Sequence, residues 1–395
     1  LNELTKAEEH FYTCLKLYPD HLSAPYNLGL IFARRGDWTN AEKYFKEAVK
    51  RNPNKADMWF ALGWAIENMG DSSSALEHYN HALSINPQHV RALTHSAVIM
   101  FRNGEQHNAR KYLEQALTID PNYVDARFNL GQVLLAERKP ADALKQFMAI
   151  IEKYQPKHEL WKGIGLCHVQ MLNYNEALNY LIKAKEMKPK QWDAETILAV
   201  CYAGLGKREE CEQIIKGLKK DYFDTVQAFN LGHAWELLGE WDEAETYYKT
   251  VLEKDNHNAD AWAGLGNVYL NRGDNDSAYT YFRRAIEINP HQIGAWFNII
   301  LSWMQNHEWA KAKAELIKFT EYYPEHVEAY YNLGLANETL GDIEGAKNAY
   351  DTVLEKHPNH AGALFSRATI ALSEMDLEKA QDLFKRLKPM EPFKS

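Results

Sequence analysis

Two histidines and two cysteines are the side chains in this sequence whose types and spacing could do chemistry. His78 and His81 are three residues apart, so on a helix their imidazoles share one face and could form half of a zinc site. No cysteine or carboxylate completes that site at ligand spacing, and we expect no metal. Cys167 and Cys201 occupy equivalent places in a repeating pattern whose other copies have aliphatic residues there, so we interpret both as core thiols.

No motif typical of an enzyme accompanies them. The stretch GLGNVY, at 264–269, begins like a nucleotide-binding loop, but it lies inside an apolar helical pattern, where it would pack against a neighbouring helix. We find no nucleophile with a matching base, no phosphate-binding loop and no paired carboxylates. The sequence therefore predicts a protein without catalytic activity and without a cofactor.

The overall composition narrows the class of protein further. The 395 residues have a net charge of −9 that is spread along the chain, which argues against nucleic-acid binding. No apolar run approaches the roughly 18 residues of a membrane span, and the first residues do not resemble a secretory signal. Four cysteines do not make a disulfide framework. We therefore expect a cytoplasmic protein that does not insert into membranes.

A period of 34 residues runs through the chain. The segment YNLGL occurs at 26–30 and at 331–335, and landmarks recur between these copies every 34 residues, with one residue missing. With each repeat numbered 1 to 34, position 8 is glycine or alanine in ten repeats, position 20 is alanine in ten, position 32 is proline in eight and position 15 is glycine in seven. This register gives a half repeat at 1–21 and eleven full repeats at 22–394, the sixth one residue short.

Each repeat has the apolar pattern of two packed helices. Positions 4, 7, 8 and 11 share one face of a first helix, and positions 20, 24, 27 and 28 share one face of a second. Glycine at position 15 ends the first helix, and proline at position 32 ends the second. Small residues at 8 and 20 let the two helices approach closely. Because one helical hairpin cannot bury its own apolar face, the repeats must stack on each other.

This pattern resembles the tetratricopeptide repeat family. The second repeat matches the family pattern best, with Trp59, Leu62, Gly63, Ala75, Tyr79, Ala82 and Pro87 in register. The resemblance implies an all-α fold, an α-solenoid wound into a right-handed superhelix, as one continuous domain over 1–395. It also implies a non-catalytic scaffold for protein–protein interaction, whose first helices line a concave groove that binds a segment of a partner protein.

The family geometry places positions 2, 5, 6, 9, 12 and 13 in this groove. Position 5 is often aromatic and position 6 is often asparagine, and these side chains could cover and hydrogen-bond an extended peptide. The six positions hold nine acidic and four basic residues, a balance of −5, so we expect a partner with apolar and basic residues. The predicted partner-binding residues are Tyr26, Asn27, Phe60, Phe128, Asn129, Phe229, Asn230, Glu236, Phe297, Asn298, Glu328, Tyr331, Asn332 and Glu338.

Two alternatives remain open at this point. An acidic ligand could bind a basic patch at the other end of the array, formed by Arg34, Arg91, His95 and Arg102. The asparagines at position 6 also resemble, in part, the asparagine ladder of O-linked N-acetylglucosamine transferase. That resemblance implies a substrate-presenting arm of a larger glycosyltransferase, whose catalytic domain would lie outside these residues.

The last repeat leads to one further expectation. It contains Leu383, Phe384 and Leu387, and no polar capping helix follows in the sequence RLKPMEPFKS. Because the ends of a solenoid need caps, we expect either further native sequence or self-association through this uncapped end.

Overall fold

The computed structural model describes residues 2–188, 192–218 and 223–387, and this part of the chain is all-α, as predicted. It forms two compact units, Leu1–Cys201 and Tyr202–Ser395. The boundary falls in the sixth repeat, whose missing residue we place at 221–224, partly outside the described residues. The single continuous domain expected from the sequence stays a prediction.

The helices follow one another with short turns between them. Those that begin in the first unit are α1 (Asn2–Leu17), α2 (Ala24–Arg34), α3 (Trp38–Arg51), α4 (Ala56–Asn68), α5 (Ser72–Ile85), α6 (Val90–Arg102), α7 (Gln106–Ile119), α8 (Val124–Ala136), α9 (Pro140–Ile151), α10 (His158–Gln170), α11 (Tyr174–Met187) and α12 (Asp193–Gly204). Those of the second unit are α13 (Arg208–Gly217), α14 (Thr225–Leu237), α15 (Trp241–Lys254), α16 (Ala259–Asn271), α17 (Asn275–Ile288), α18 (Ile293–Gln305), α19 (Trp309–Tyr322), α20 (Val327–Thr339), α21 (Ile343–Lys356), α22 (Ala361–Ser373) and α23 (Leu377–Leu387). From α1 to α11, and from α14 to α23, each helix packs against the next, which is the arrangement of a repeat solenoid.

The turn inside each repeat uses a left-handed backbone at position 15. All seven glycines at this position have positive φ, for example +77° at Gly36. The four other repeats place Arg138, Leu172, His307 and Met375 there, with φ of +58° to +62°. Left-handed backbone is costly for a residue with a side chain. These four turns are therefore strained where the glycine turns are not.

The two helices of a repeat approach each other at positions 8 and 24. A Cβ added to Gly266 would lie 2.5 Å from the ring of Phe282, and one added to Gly29 would lie 2.5 Å from Phe45. The ninth repeat reverses this division of volume, because Ile300 replaces the small residue and the position-24 residue is Leu316, without a ring. Ile300 and Leu316 are both fully buried. The larger residue at position 8 of the ninth repeat is therefore compensated by a smaller one at position 24.

Histidines cap several first helices at the junctions between repeats. The Nδ1 atom of His89 accepts the backbone N–H of Ala92 at 3.1 Å, and its Nε2 atom lies 3.2 Å from the carboxylate of Asp57. His360 caps Ala363 in the same way, with Glu328 3.4 Å from its Nε2 atom. Since Nδ1 accepts, the proton of a neutral imidazole is on Nε2 and can be donated to the carboxylate. The position-34 side chain thus joins two consecutive first helices.

The first helices lie on the inner side of each unit. In the first unit α6 packs against α8, and α8 against α10; in the second unit α14 packs against α16, and α16 against α18. Among the described residues, no pair of consecutive second helices approaches to the same extent. Closer spacing on one side of a stack makes that side concave. We call the first-helix residues at positions 2, 5, 6, 9, 12 and 13 the inner face.

The residues considered first for chemistry have packing roles. His78 and His81 lie against Trp59, with ring centroids 5.7 and 3.9 Å from the indole. No group of three potential metal ligands occurs in the described part of the chain. Cys167 and Cys201 are fully buried free thiols, and burial raises the pKa of each to about 12. No helix in the described ranges is both long and apolar enough to cross a bilayer.

At the C-terminal end, Leu383 packs in a cluster with Leu364 and Ala368 and is buried. Phe384 and Leu387 are half-buried against the same cluster. Residues 388–395, which include the segment that raised the question of a cap, lie outside the described residues. Self-association through this end stays a prediction.

Candidate functional site

The aromatic row predicted at position 5 lies on the first helices, but its rings also belong to the core. Phe229 lies 5.6 Å from Tyr248 of its own second helix, and Phe297 lies 5.2 Å from Phe319. Tyr26, Phe60, Phe128 and Tyr331 make equivalent ring contacts at 5.5–6.0 Å. Phe60 is buried, and most of the others are half-buried. The row therefore offers ring edges to a ligand, and only Phe365, at 59% exposure, offers most of its surface.

The asparagines at position 6 divide into two groups. The amides of Asn27 and Asn129 donate to carbonyls of their own helices, at Ser23 (2.9 Å) and Asp125 (2.8 Å). The amide of Asn298 instead donates to the side-chain carbonyl of Asn267 at 2.9 Å, across two first helices. Asn230 and Asn332 are half-buried on α14 and α20. The asparagines are therefore not equivalent rungs of one ladder.

Three inner-face glutamates are held by buried tyrosines of their own repeat. Tyr79 donates its hydroxyl to Glu67 at 2.6 Å, and Tyr350 donates to Glu338 at 2.8 Å. Tyr248 donates to Glu236 in the same way. In each pair the glutamate is at position 12 and the tyrosine at position 24. Each hydrogen bond gives the buried phenol an acceptor and the carboxylate a donor, and either group would be costly to bury without its partner.

Glu236 also orients a chain of amides on the inner face of the second unit. Asn267 donates its amide N–H to Glu236 at 3.0 Å, and Asn298 donates to the carbonyl of Asn267. Because a carboxylate only accepts, the direction of both hydrogen bonds is determined by Glu236. Asn298 is therefore the last amide of this chain of hydrogen bonds, and no donor to its side-chain carbonyl is found in the described part of the molecule.

The equivalent glutamate of the first unit, Glu67, lies beside a histidine and an arginine. His95 lies 2.8 Å from Glu67, and a guanidinium nitrogen of Arg102 lies 3.9 Å away. Burial would raise the pKa of Glu67, but hydrogen bonds from His95 and Tyr79 and the neighbouring positive charges outweigh it and keep the pKa below its usual value. His95 and Arg102, two members of the basic patch, thus face a carboxylate.

Arg91, a third member of the patch, is also paired. Its guanidinium lies 2.9 Å from Asp57 and 4.7 Å from the centre of the Phe60 ring. Arg34 is exposed near the end of α2. The structure therefore brings three of the four patch residues together with acidic side chains, and the result is a mixed-charge network.

The two units differ in the charge of their inner faces. The charged inner-face residues of the first unit are the acids Asp57, Glu67, Asp125, Glu159 and Asp193 and the bases Arg34, Arg91, Arg102 and Lys162, which gives a net charge of −1. The charged inner-face residues of the second unit are Glu236, Asp260, Glu328 and Glu338, with no lysine or arginine, which gives a net charge of −4. In the first unit Lys162 pairs with Asp193 and Lys188 pairs with Glu159 at 2.6 Å. Most of the net negative charge of the inner face therefore lies in the second unit.

Sequence reasoning missed Tyr79, Tyr248, Tyr350 and Asn267. A signal for the tyrosines was present: position 24 is tyrosine in three repeats, and position 12 is glutamate in the same three. Where position 24 is phenylalanine, leucine or isoleucine, position 12 is apolar, as in the pair Leu270 and Phe282. Comparing the repeats with one another at these two positions would have revealed the pairs.

Comparison with known families agrees with the helix pairs seen here. Models described as tetratricopeptide repeat match 1–56, 26–90, 60–124 and 100–164 in the first part of the chain, and 228–260, 259–292 and 328–360 in the second. These matches cover more than half of the 395 residues. The chain belongs to the tetratricopeptide repeat family. No relative among curated proteins matches the sequence.

Solved structures similar to this tetratricopeptide repeat chain include three crystal structures. A tetratricopeptide repeat protein from Parabacteroides merdae has 18% identity and a TM-score of 0.48, over 67% of this chain and 99% of that one. The Cut9–Hcn1 hetero-tetramer of APC/C has 14% identity and a TM-score of 0.45, over 93% of both chains. The MamA protein has 22% identity and a TM-score of 0.37, over 43% of this chain and 92% of that one.

Proposed function

We propose that this chain is a non-catalytic scaffold for protein–protein interaction, and that the inner face of its second unit binds a partner segment with apolar and basic residues. Phe229, Phe297 and Tyr331 supply apolar contact area. Asn230, Asn298 and Asn332 hold the backbone of the partner, and Glu236, Glu328 and Glu338 attract its positive charges. Such a segment needs no preformed cavity, because it can lie across the row of parallel first helices and contact several of them.

The observation that carries this proposal is the difference in charge between the two inner faces. A balance of −4 without a lysine or arginine attracts cationic partners and repels anionic ones. The carbonyl of Asn298 adds an acceptor at the same surface. Carboxylates and free carbonyls accept hydrogen bonds, so they favour a partner that donates them.

The basic patch supports an acidic ligand less well. Arg91 and His95 already lie at 2.9 and 2.8 Å from Asp57 and Glu67. An acidic ligand would have to compete with these carboxylates for the same donors. The same geometry weakens the alternative of a glycosyltransferase arm, because the amides of Asn27 and Asn129 donate to their own helices. A reducing, cytoplasmic setting remains part of the proposal, supported by four cysteines that are all free thiols.

Selection from a displayed library of random 12-residue peptides tests the proposal. Binding of selected synthetic peptides would be compared for the wild type, for Asn298→Ala with Asn332→Ala, and for Arg91→Ala with Arg102→Ala. We expect the asparagine variant alone to weaken binding, by about tenfold. Weaker peptide binding in the arginine variant alone would indicate that the site lies on the first unit. Binding that neither variant weakens, with the fold intact by circular dichroism, would contradict an inner-face site.

A further inference from the structure

The three carboxylates held by tyrosines differ in what else surrounds them. Glu67 lies against His95 and Arg102 in addition to Tyr79. Glu236 accepts from Asn267 at 3.0 Å as well as from Tyr248, and His233 lies 3.7 Å away. Both oxygens of Glu236 accept hydrogen bonds from the protein's own side chains. One oxygen of Glu67 does so as well, and its other oxygen lies near the guanidinium of Arg102.

Glu338 differs from these two carboxylates, because in the described part of the chain only one of its oxygens accepts a hydrogen bond. Tyr350 donates to its Oε2 atom at 2.8 Å, and within the described residues no other hydrogen-bond or ion-pair partner is found for this carboxylate. The polar residues of the next repeat do not fill the gap. Thr369 donates its hydroxyl to the carbonyl of Phe365 at 3.0 Å, and Ser373 donates to the carbonyl of Ile370 at 2.7 Å. The Oε1 atom of Glu338, a half-buried inner-face residue, thus has no donor among the residues that the structure describes.

The surface around Glu338 is apolar and exposed. Leu301 on α18 is 43% exposed, and on α22 Phe365 and Leu372 are 59% and 43% exposed. Phe365, Thr369 and Leu372 are spaced i, i+4 and i+7, so they form one stripe along α22. Leu335, one turn before Glu338 on α20, is half-buried and packs against the cluster that contains Tyr350 and Ile370. Of the two inner-face carboxylates in repeats nine to eleven, Glu328 lies 3.4 Å from the Nε2 atom of His360, and Glu338 lies on the same helix as this apolar side chain.

We propose that Glu338 anchors one lysine or arginine side chain of the partner segment, and that apolar residues on either side of that cation pack on Leu301, Phe365 and Leu372. The inference rests on the proposed function and names the chemistry that this part of the surface selects. Glu67 and Glu236 do not serve as such an anchor, because their oxygens already accept hydrogen bonds from the protein itself, and Glu236 contributes only its negative charge to the surface.

The physical basis is a carboxylate that is oriented before the partner arrives. The hydroxyl of Tyr350 holds the Oε2 atom and leaves Oε1 for a donor of the partner, so little side-chain freedom is lost on binding. Apolar neighbours exclude water once the partner is bound, and a charge-assisted hydrogen bond is then stronger than at an open surface. No lysine or arginine of the inner face of this unit competes for Glu338.

Peptides from the displayed 12-residue library provide the probe. We expect selection on the full chain to enrich peptides with one arginine or lysine flanked by leucine, phenylalanine or similar residues. A selected peptide would be measured beside an analogue with citrulline for arginine, or acetyl-lysine for lysine, which keeps the shape and removes the charge. For the wild type, the neutral analogue should bind about tenfold more weakly.

Glu338→Gln should weaken binding of the charged peptide by about tenfold and should change the affinity for the neutral analogue by no more than about twofold. Glutamine can still accept from Tyr350, so the fold should be preserved. Glu344→Gln is the matched control, because it removes one charge from the same repeat on the second helix, where Glu344 is 74% exposed and pairs with Lys347 at 2.7 Å. This control should leave both affinities unchanged.

Several outcomes would overturn the anchor. If Glu338→Gln weakens both peptides equally or neither, while Asn298→Ala with Asn332→Ala still weakens both, the inner face binds but Glu338 is not the anchor. If neither set of variants matters, the proposed function fails as well. Enrichment of peptides without a basic residue would also contradict the inference. A dimer of the wild-type chain in sedimentation that Glu338→Gln makes monomeric would assign the surface to a second copy of this chain instead.

Discussion

The hydroxyl of Tyr350 donates a 2.8 Å hydrogen bond to the carboxylate of Glu338, twelve residues earlier in the chain. The tyrosine is fully buried between helices, whereas the glutamate reaches the inner face. The bond thus connects the packing of a repeat with the surface proposed to bind a partner. The same relationship links Tyr79 to Glu67 and Tyr248 to Glu236.

A double-mutant cycle tests how strongly this pair is coupled. Tyr350→Phe and Glu338→Leu should each lower the free energy of unfolding by about 1–2 kcal/mol, because each leaves a polar group without its partner. The double variant reproduces the apolar pair Leu270 and Phe282 of the eighth repeat and should cost less than the sum. Urea denaturation of the four proteins gives the coupling. Additive losses would show that the hydrogen bond contributes little.

The close approach of helices at position 8 leads to a second prediction. Gly266→Ala should lower the free energy of unfolding by about 1–3 kcal/mol, because its Cβ would overlap the ring of Phe282. Adding Phe282→Leu should recover part of that loss, because the third repeat already packs Ala97 at position 8 against a second helix with Leu113 at position 24, and both residues are fully buried. Gly294→Ala is the control, since nothing lies within 4 Å of its added Cβ. Equal effects of the two alanines on the denaturation midpoint would contradict this packing.

The strained turns give a third prediction. Leu172→Gly should raise the free energy of unfolding by about 0.5–1 kcal/mol, because Leu172 has φ of +60° and is 71% exposed, so strain is removed with little loss of packing. Gly36→Ala, at the equivalent turn with φ of +77°, should have the opposite sign. Thermal unfolding of both variants is the measurement. Destabilisation by both substitutions would mean that the turn at Leu172 is not strained.

The acid stability of the second unit gives a fourth prediction, centred on Glu245. Burial would raise the pKa of this carboxyl, but hydrogen bonds from Lys249 and Arg272 outweigh it and lower the pKa to about 2. A pKa lower in the folded than in the unfolded state, where it is about 4.3, stabilises the fold above pH 4.3. That stabilisation is lost as the pH falls towards 2.

Glu245→Gln should therefore be less stable than the wild type at pH 7, and the difference should shrink between pH 5 and pH 2. The urea midpoint of both proteins across this range is the measurement. Glu243→Gln, on the exposed side of the same helix, is the control for loss of one charge. A difference that stays constant down to pH 2 would contradict the depressed pKa.

The fold could be predicted from the sequence because its determinants repeat. Ala143 and Ala278, both at position 20, are buried as the register requires, and the glycines at position 15 adopt the left-handed backbone that ends a first helix. A pattern present in eleven copies averages out local exceptions such as Ile300. The helix pairs and their stacking follow from helical periodicity and from the need to bury the apolar faces.

The candidate site was only partly predictable. Phe229 and Asn298 lie on first helices as expected, since the helical face follows from their positions. The hydrogen bond between Asn298 and Asn267 depends on the distance between two first helices, which periodicity does not specify. The pairing of Arg91 with Asp57 has the same origin. Counting charges by position therefore overstated the positive character of the first unit.

Photo-crosslinking of a selected peptide can locate the partner on the second unit. Leu301 on the inner face and Ile317 on the second helix of the same repeat are both 43% exposed, so benzoylphenylalanine can replace either one under matched conditions. We expect crosslinks from position 301 that the unlabelled peptide suppresses, and none above background from position 317. Crosslinks from position 317 alone, or from both positions equally, would contradict an inner-face binding surface in the second unit.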